Sequence, residues 1–214
     1  MAYDFAPAVI LGLDSAKGVS GSTLLVPHIE PRYTALVGRS TKMYDRIPPV
    51  RTYTLEHFCE VKTQLDHENC VLHLVQRAKD LGIPPIVAAE GWSPGRWGFD
   101  TIIGMGEGWG WWTAELRRAA ERFPEITPIH VERVVPDRWR GDLGIYRLSP
   151  TREGPDLKRA AIQYVKAKLG VRVPADVAEA CCIALWGAQN DNVHARVEKW
   201  HVRQGVLRRK KGEA

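Results

Sequence analysis

No run of apolar residues in this chain approaches the roughly 18 that a helix needs to cross a bilayer, so no membrane span is expected. The opening MAYDFAPAVILGLD lacks the basic start of a secretory signal, and a cytoplasmic location is expected. Cysteine is scarce: Cys59, Cys70, Cys181 and Cys182 are the four in 214 residues. They show no paired spacing, and the adjacent last two would be strained as a bridge, so a reducing compartment fits. The glycine-rich stretch GMGEGWGWW lacks the GxxxxGK[ST] arrangement of a phosphate loop and reads instead as the opening of a helix. The compositional bias of a disordered chain is also missing, since 44% of residues are hydrophobic and 26% charged. At about 150 residues per domain, the length suits one sizeable core and not two.

What is present in excess is positive charge. The formal charge is +5 and the pI is near 9.1. Much of the surplus lies in HARVEKWHVRQGVLRRKK, where Glu198 is the single acid. Such a segment can neutralise phosphates and points to nucleic acid, although a solvated end explains the composition equally well. The expected organisation is one domain over residues 1–190 and a basic C-terminal tail over residues 191–214.

Along the chain, residues 9–13 form a short continuous apolar run, the pattern of a strand buried on both faces. Residues 15–22 are turn-forming, and residues 23–26 and 33–37 read as two further strands of an antiparallel meander. Residues 55–81 carry Phe58, Val61, Leu65, Leu72 and Val75 as a helical stripe that ends at Gly82. A fourth strand is expected at 86–89, a helix at 107–123, a fifth strand at 129–135, an irregular segment at 136–156, and helices at 157–169 and 177–186. This order predicts an α/β fold: a five-stranded mixed sheet, its first three strands antiparallel, flanked by helices.

Within that frame, acids occupy costly positions. Asp14 follows ILGL and Glu90 follows IVAA, each closing an apolar strand where a charge needs a partner. The ends of strands are where open sheets place their sites, and the first and fourth strands are expected to be neighbours. In ADVAEACCIALWG, Asp176 and Glu179 share one face of the first turn of an otherwise apolar helix. N-terminal capping explains that pair in isolation. With Asp14 and Glu90 it forms a set of four carboxylates that a divalent cation would reconcile. Oxygen-only ligands favour magnesium or manganese, and a basic protein with such a set reads as a nuclease. A separate reading concerns His67, Cys70 and His73, which recur every third residue and suit zinc in type but lack a clear fourth ligand; ordinary helix packing is the reading preferred.

Taken together, ILGLDSAKGVSGSTLL, IVAAEGW, VVPDRW, DLKRAAIQYVKAKLG and ADVAEACCIALWG, spread in this order over roughly residues 8–188, resemble the RNase H-like nucleases and among them the RuvC-type Holliday junction resolvases. The resemblance implies an RNase H-like fold and a homodimer that nicks four-way junctions in two equivalent strands. It also implies two Mg2+ ions per active site, replaceable by Mn2+, held by Asp14, Glu90, Asp176 and Glu179. The family commonly ends that set in Asp, where this chain has Glu179. Lys158, with Arg159 as its alternative, matches a DNA-facing lysine of the penultimate helix. Trp92 and Trp97, which flank SPGR with its Arg96, stand where the family stacks an aromatic residue at the opened junction.

Three other readings stay open. The same fold can act on other branched DNA or on RNA–DNA hybrids, or can bind DNA without cutting it. LDSAKGVSGSTLL also resembles the first phosphate loop of actin-like ATPases, but those need two such domains and this chain has length for one.

Overall fold

The structure, a computed structural model, describes residues 5–14, 20–28, 50, 52–91 and 99–205. The apolar run becomes β1, Val9–Asp14, buried at every position. It lies in the middle of a five-stranded sheet with β2 (Ser20–Pro27) and β3 (Tyr53–Val61) on one side and β4 (Pro85–Glu90) and β5 (His130–Val134) on the other. The β1/β2 and β2/β3 pairs are antiparallel, while β1/β4 and β4/β5 are parallel. This is the mixed sheet expected, with its first three strands antiparallel.

Both faces of β1 are covered, which explains why its sequence does not alternate. Ile10, Ile86 and Ala88 point to one side, into a core closed by α5 (Gly154–Leu169) and α6 (Ala175–Gln189). Val9, Leu11, Leu13, Val87 and Ala89 point to the other, against α1 (Gln64–Leu81) and α2 (Phe99–Arg122). Two short helices, α3 (Pro136–Asp142) and α4 (Ile145–Leu148), follow β5, and α7 (Asp191–Arg203) follows α6.

Several boundaries differ from those expected. The third strand of the sheet is β3, within a stretch read as the start of a helix; residues 33–37 lie outside the described residues. In β3 alternate residues are exposed, and Phe58 points to solvent at 44% exposure, so a period of two prevails over the helical stripe. The helix starts only at Gln64, where Thr63 and Asp66 form a reciprocal capping box. The α2 helix begins at Phe99 and runs through the glycines of GMGEGWGWW, because Met105, Trp109, Trp112, Leu116 and Ala119 form one buried stripe. Residues 136–148, expected to be irregular, are largely helical: Pro136 pre-sets the first turn of α3, and Trp139 and Ile145 are fully buried. The first half of the expected tail is α7, which buries Val193, Val197 and Trp200.

The feature that sets up the site is the closeness of α6 to the sheet. A Cβ on Gly12 would meet the Ala180 carbonyl oxygen at 2.2 Å and the Ala184 Cβ at 2.7 Å, and one on Gly21 would meet the Asp176 carbonyl oxygen at 2.2 Å. These two glycines let the helix rest on bare backbone. Gly21 is the cross-strand partner of Asp14, so the start of α6 sits beside the end of β1. Gly12→Val is therefore expected to cost about 3 kcal/mol by overpacking against backbone that cannot yield, read as a lowered urea midpoint.

Candidate active site

The strand register and the helix contact together assemble the acids. Leu13 pairs with Ala89, so Asp14 and Glu90, each one residue on, end neighbouring parallel strands. Both fall on the α6 side of the sheet, in line with Ile10 and Gly12 on β1 and with Ile86 and Ala88 on β4. From the first turn of α6, Asp176 and Glu179 come down onto the same edge. One oxygen each from Asp14, Asp176 and Glu179 lie within 4.8 Å of one another. Asp14, Glu90 and Glu179 are buried, and Asp176 is partly exposed.

This crowding has electrostatic consequences. Burial, followed by the charges of Glu90, Glu179 and Asp176, pushes the Asp14 carboxyl well above the ordinary carboxylate range, against the pull of Arg140. Glu90 is pushed up to about 7, first by burial, with Arg140 and the Trp139 indole holding it down and Glu179 adding to the rise.

Two cations and an indole partly compensate. Arg140 donates from Nη2 to Glu179 Oε1 at 2.7 Å, and its guanidinium lies 4.8 Å from the Trp139 ring centre. Trp139 donates from Nε1 to Glu90 Oε2 at 3.2 Å. Lys158, on the first turns of α5, donates from Nζ to Asp176 Oδ1 at 2.5 Å. Arg159, the neighbouring candidate, turns away and pairs with Asp156. Trp92, Arg96 and Trp97 lie outside the described residues.

Trp139 and Arg140 have no assigned role in the sequence reading, although VVPDRWR contains both. The available signal was a proline after a strand, which marks a helix start directed at the same sheet edge as Glu90. Arg140→Met removes the cation and leaves Glu179 buried and unpaired. In chelator at neutral pH this is expected to cost about 2 kcal/mol, less than for a fully enclosed pair because Arg140 retains some exposure; urea unfolding measures it. His67, Cys70 and His73 do not converge as a group. His67 bonds the Thr63 carbonyl oxygen through Nδ1 at 2.7 Å and packs on Trp112.

The donor set fits a hard divalent cation. It consists of carboxylate oxygens alone, three of them already within one coordination sphere's span, and their charge exceeds what Arg140 and Lys158 supply.

No protein-family model matches the chain, and no curated protein matches it significantly. Among solved structures the chain is similar to Thermus thermophilus RuvC in complex with a Holliday junction substrate, at 17% identity and a TM-score of 0.49 over 92% of this chain and 97% of that one. It is similar also to Thermus thermophilus RuvC alone, at 19% identity and a TM-score of 0.45 over 92% and 97%. A third is the yeast mitochondrial Holliday junction resolvase Ydc2, at 10% identity and a TM-score of 0.46 over 96% and 87%. At these values the likeness concerns the general course of the chain and assigns it to no family.

Proposed function

We propose that the protein is a divalent-cation-dependent, structure-selective DNA endonuclease that resolves four-way junctions as a homodimer. The observation that carries this reading is the convergence of Asp14, Asp176 and Glu179 beside Glu90 at one sheet edge, in a basic protein. The order of the five sequence motifs supports the choice of junction DNA. A two-fold dimer suits a substrate that must be nicked in two equivalent strands.

Asp14, Asp176 and Glu179, with Glu90 alongside, would hold magnesium, or manganese in its place. Bound there, such cations stabilise the charge that develops on the attacking and leaving oxygens of phosphodiester hydrolysis. Glu90, at the end of β4, would complete the set of carboxylates from the strand beside Asp14. Trp139 fixes the orientation of that carboxyl, and Arg140 does the same for Glu179. Lys158, half exposed at the edge of the cluster, offers its ammonium to a backbone phosphate. Trp92 and Trp97 are the aromatic residues proposed to stack on splayed bases, with Arg96 between them on the phosphates. The α7 helix and the basic residues beyond it would add grip that weakens steeply with salt.

The test is incubation with a labelled four-way junction, a matched duplex and an RNA–DNA hybrid, each in magnesium and in chelator. Paired symmetric nicks in the junction alone, lost in chelator, are expected. Cleavage of the hybrid alone would overturn the junction reading, and binding without cleavage of any substrate would overturn the nuclease reading.

A further inference from the structure

On the opposite face of the sheet from the carboxylates, a second group of ligand-type side chains meets where α1 crosses β2 and β3. His57 and Cys59 stand two residues apart on β3 and so share a face, the one that looks toward α1. Cys70 and His73 stand three residues apart on α1 and share the facing side of that helix. Ligand atoms of His57, Cys59 and Cys70 all lie within 4.8 Å of one another. The two sulfurs are 3.4 Å apart, and the His73 ring meets that of His57 edge to face with centres 4.7 Å apart. Ser22 Oγ, on β2, lies 3.1 Å from the Cys59 sulfur and 3.2 Å from that of Cys70.

We propose that His57, Cys59, Cys70 and His73 form a structural site for a soft divalent cation, zinc in the first place, that ties α1 to the edge of the sheet. Two sulfurs and two imidazoles are the donor set that tetrahedral zinc prefers, at about 2.3 Å for Zn–S and 2.0 to 2.1 Å for Zn–N. Those lengths place two sulfurs about 3.8 Å apart at the tetrahedral angle, a few tenths of an ångström beyond the separation here. The pairings also follow the usual logic of closed sites, two ligands from a strand and two from a helix. His73 is exposed and stands beside His57, next to the three converging ligands, so a turn of its ring toward the sulfurs would complete the set, whereas Cys70 is buried. The carboxylates of the proposed active site point to the α6 side, so the two sites are chemically and spatially separate: hard oxygen donors on one face, soft donors on the other.

Among the described residues β3 is the outermost strand on its side of the sheet, and the ion pair of Glu56 with Arg77 already links it to α1. A cation bridging β3 and α1 would stabilise both without any part in hydrolysis.

The test uses the full chain, purified under reducing conditions without chelator, with zinc measured by elemental analysis and the site read spectroscopically after replacement by Co2+. One equivalent of retained metal, with the intense sulfur-to-cobalt absorption of thiolate ligation, is expected. Cys59→Ser and Cys70→Ser should lose that absorption, and His73→Gln, at an exposed position that leaves the fold intact, should weaken zinc binding at least about tenfold. Asp14→Asn should keep full zinc and the full cobalt spectrum. A chain that holds no zinc while all four thiols titrate as free, a mass two hydrogens light from a Cys59–Cys70 disulfide, or cobalt absorption unchanged in the cysteine variants would each overturn the proposal. None of these readouts involves DNA, so the outcome is independent of the nuclease reading.

Discussion

Asp14→Asn is expected to abolish cleavage of a four-way junction, leave junction binding largely intact, and make the cation-free protein more stable. The three effects have one physical source. Asp14 is buried at the end of the central strand among Glu90, Glu179 and Asp176, and the fold disfavours its charged form. That cost is useful only if a cation relieves it. An amide of the same shape keeps the packing but removes one anionic oxygen from the cluster. If a bound cation supplies several kcal/mol of transition-state stabilisation, losing its central ligand costs on the order of a thousand-fold or more in kcat. Without cation the same change relieves repulsion, and unfolding in chelator at pH 8 should show a gain of about 1 to 2 kcal/mol. Near-normal cutting by this variant would sink the assignment of the site.

In the cation-free protein Glu90 is also expected to withdraw stability as pH rises from about 4.5 toward 8, opposite to the usual behaviour of paired carboxylates. Glu90 has an ordinary value of 4.5 and is held at about 7 in the fold. Its protonated form is therefore the one the fold favours. The stability this supplies is fully present below 4.5 and is lost as the pH rises through about 7, a change on the order of 3 kcal/mol. Asp14 moves in the same direction. Facing them are Arg140 and the Trp139 indole, which limit the loss, and Glu179, which adds to it. His201, which burial holds down to about 4, runs the other way, so the effect is read against Glu90→Gln: in chelator the parent should lose Tm relative to that variant between pH 5 and pH 8, and millimolar magnesium should raise the parent's Tm at pH 8. A parent Tm that shows no loss relative to Glu90→Gln between pH 5 and pH 8, or is indifferent to magnesium at pH 8, would contradict the proposed cation site.

Much of this was legible in the residues. An acid after ILGL and another after IVAA stand out because a charge that ends a buried strand needs a reason. Less legible were elements whose local pattern competes with their environment. In residues 53–61 the spacing of Phe58 and Val61 fits a helix, and only pairing with β2 settles them as a strand with Phe58 outward. Residues 136–148 are short and rich in charge, and their helices depend on burying Trp139 and Ile145 against a core formed elsewhere.

The sequence by itself determined the kind of chain this is: an α/β fold with a mixed sheet implied by its order of strands and helices, a positive surplus, and acids at the ends of strands. It could do so because hydrophobic periodicity and the cost of an isolated charge are local properties. Only the tertiary structure decided which groups meet. Arg140 beside Glu179, Trp139 beneath Glu90, Lys158 rather than Arg159 at Asp176, and Cys70 turned to Cys59 and not to His67 all follow from strand register and helix placement. For the carboxylates, the decisive placement is that of α6, which bare backbone at Gly12 and Gly21 lets settle on the sheet, a contact between residues more than 150 positions apart in the chain.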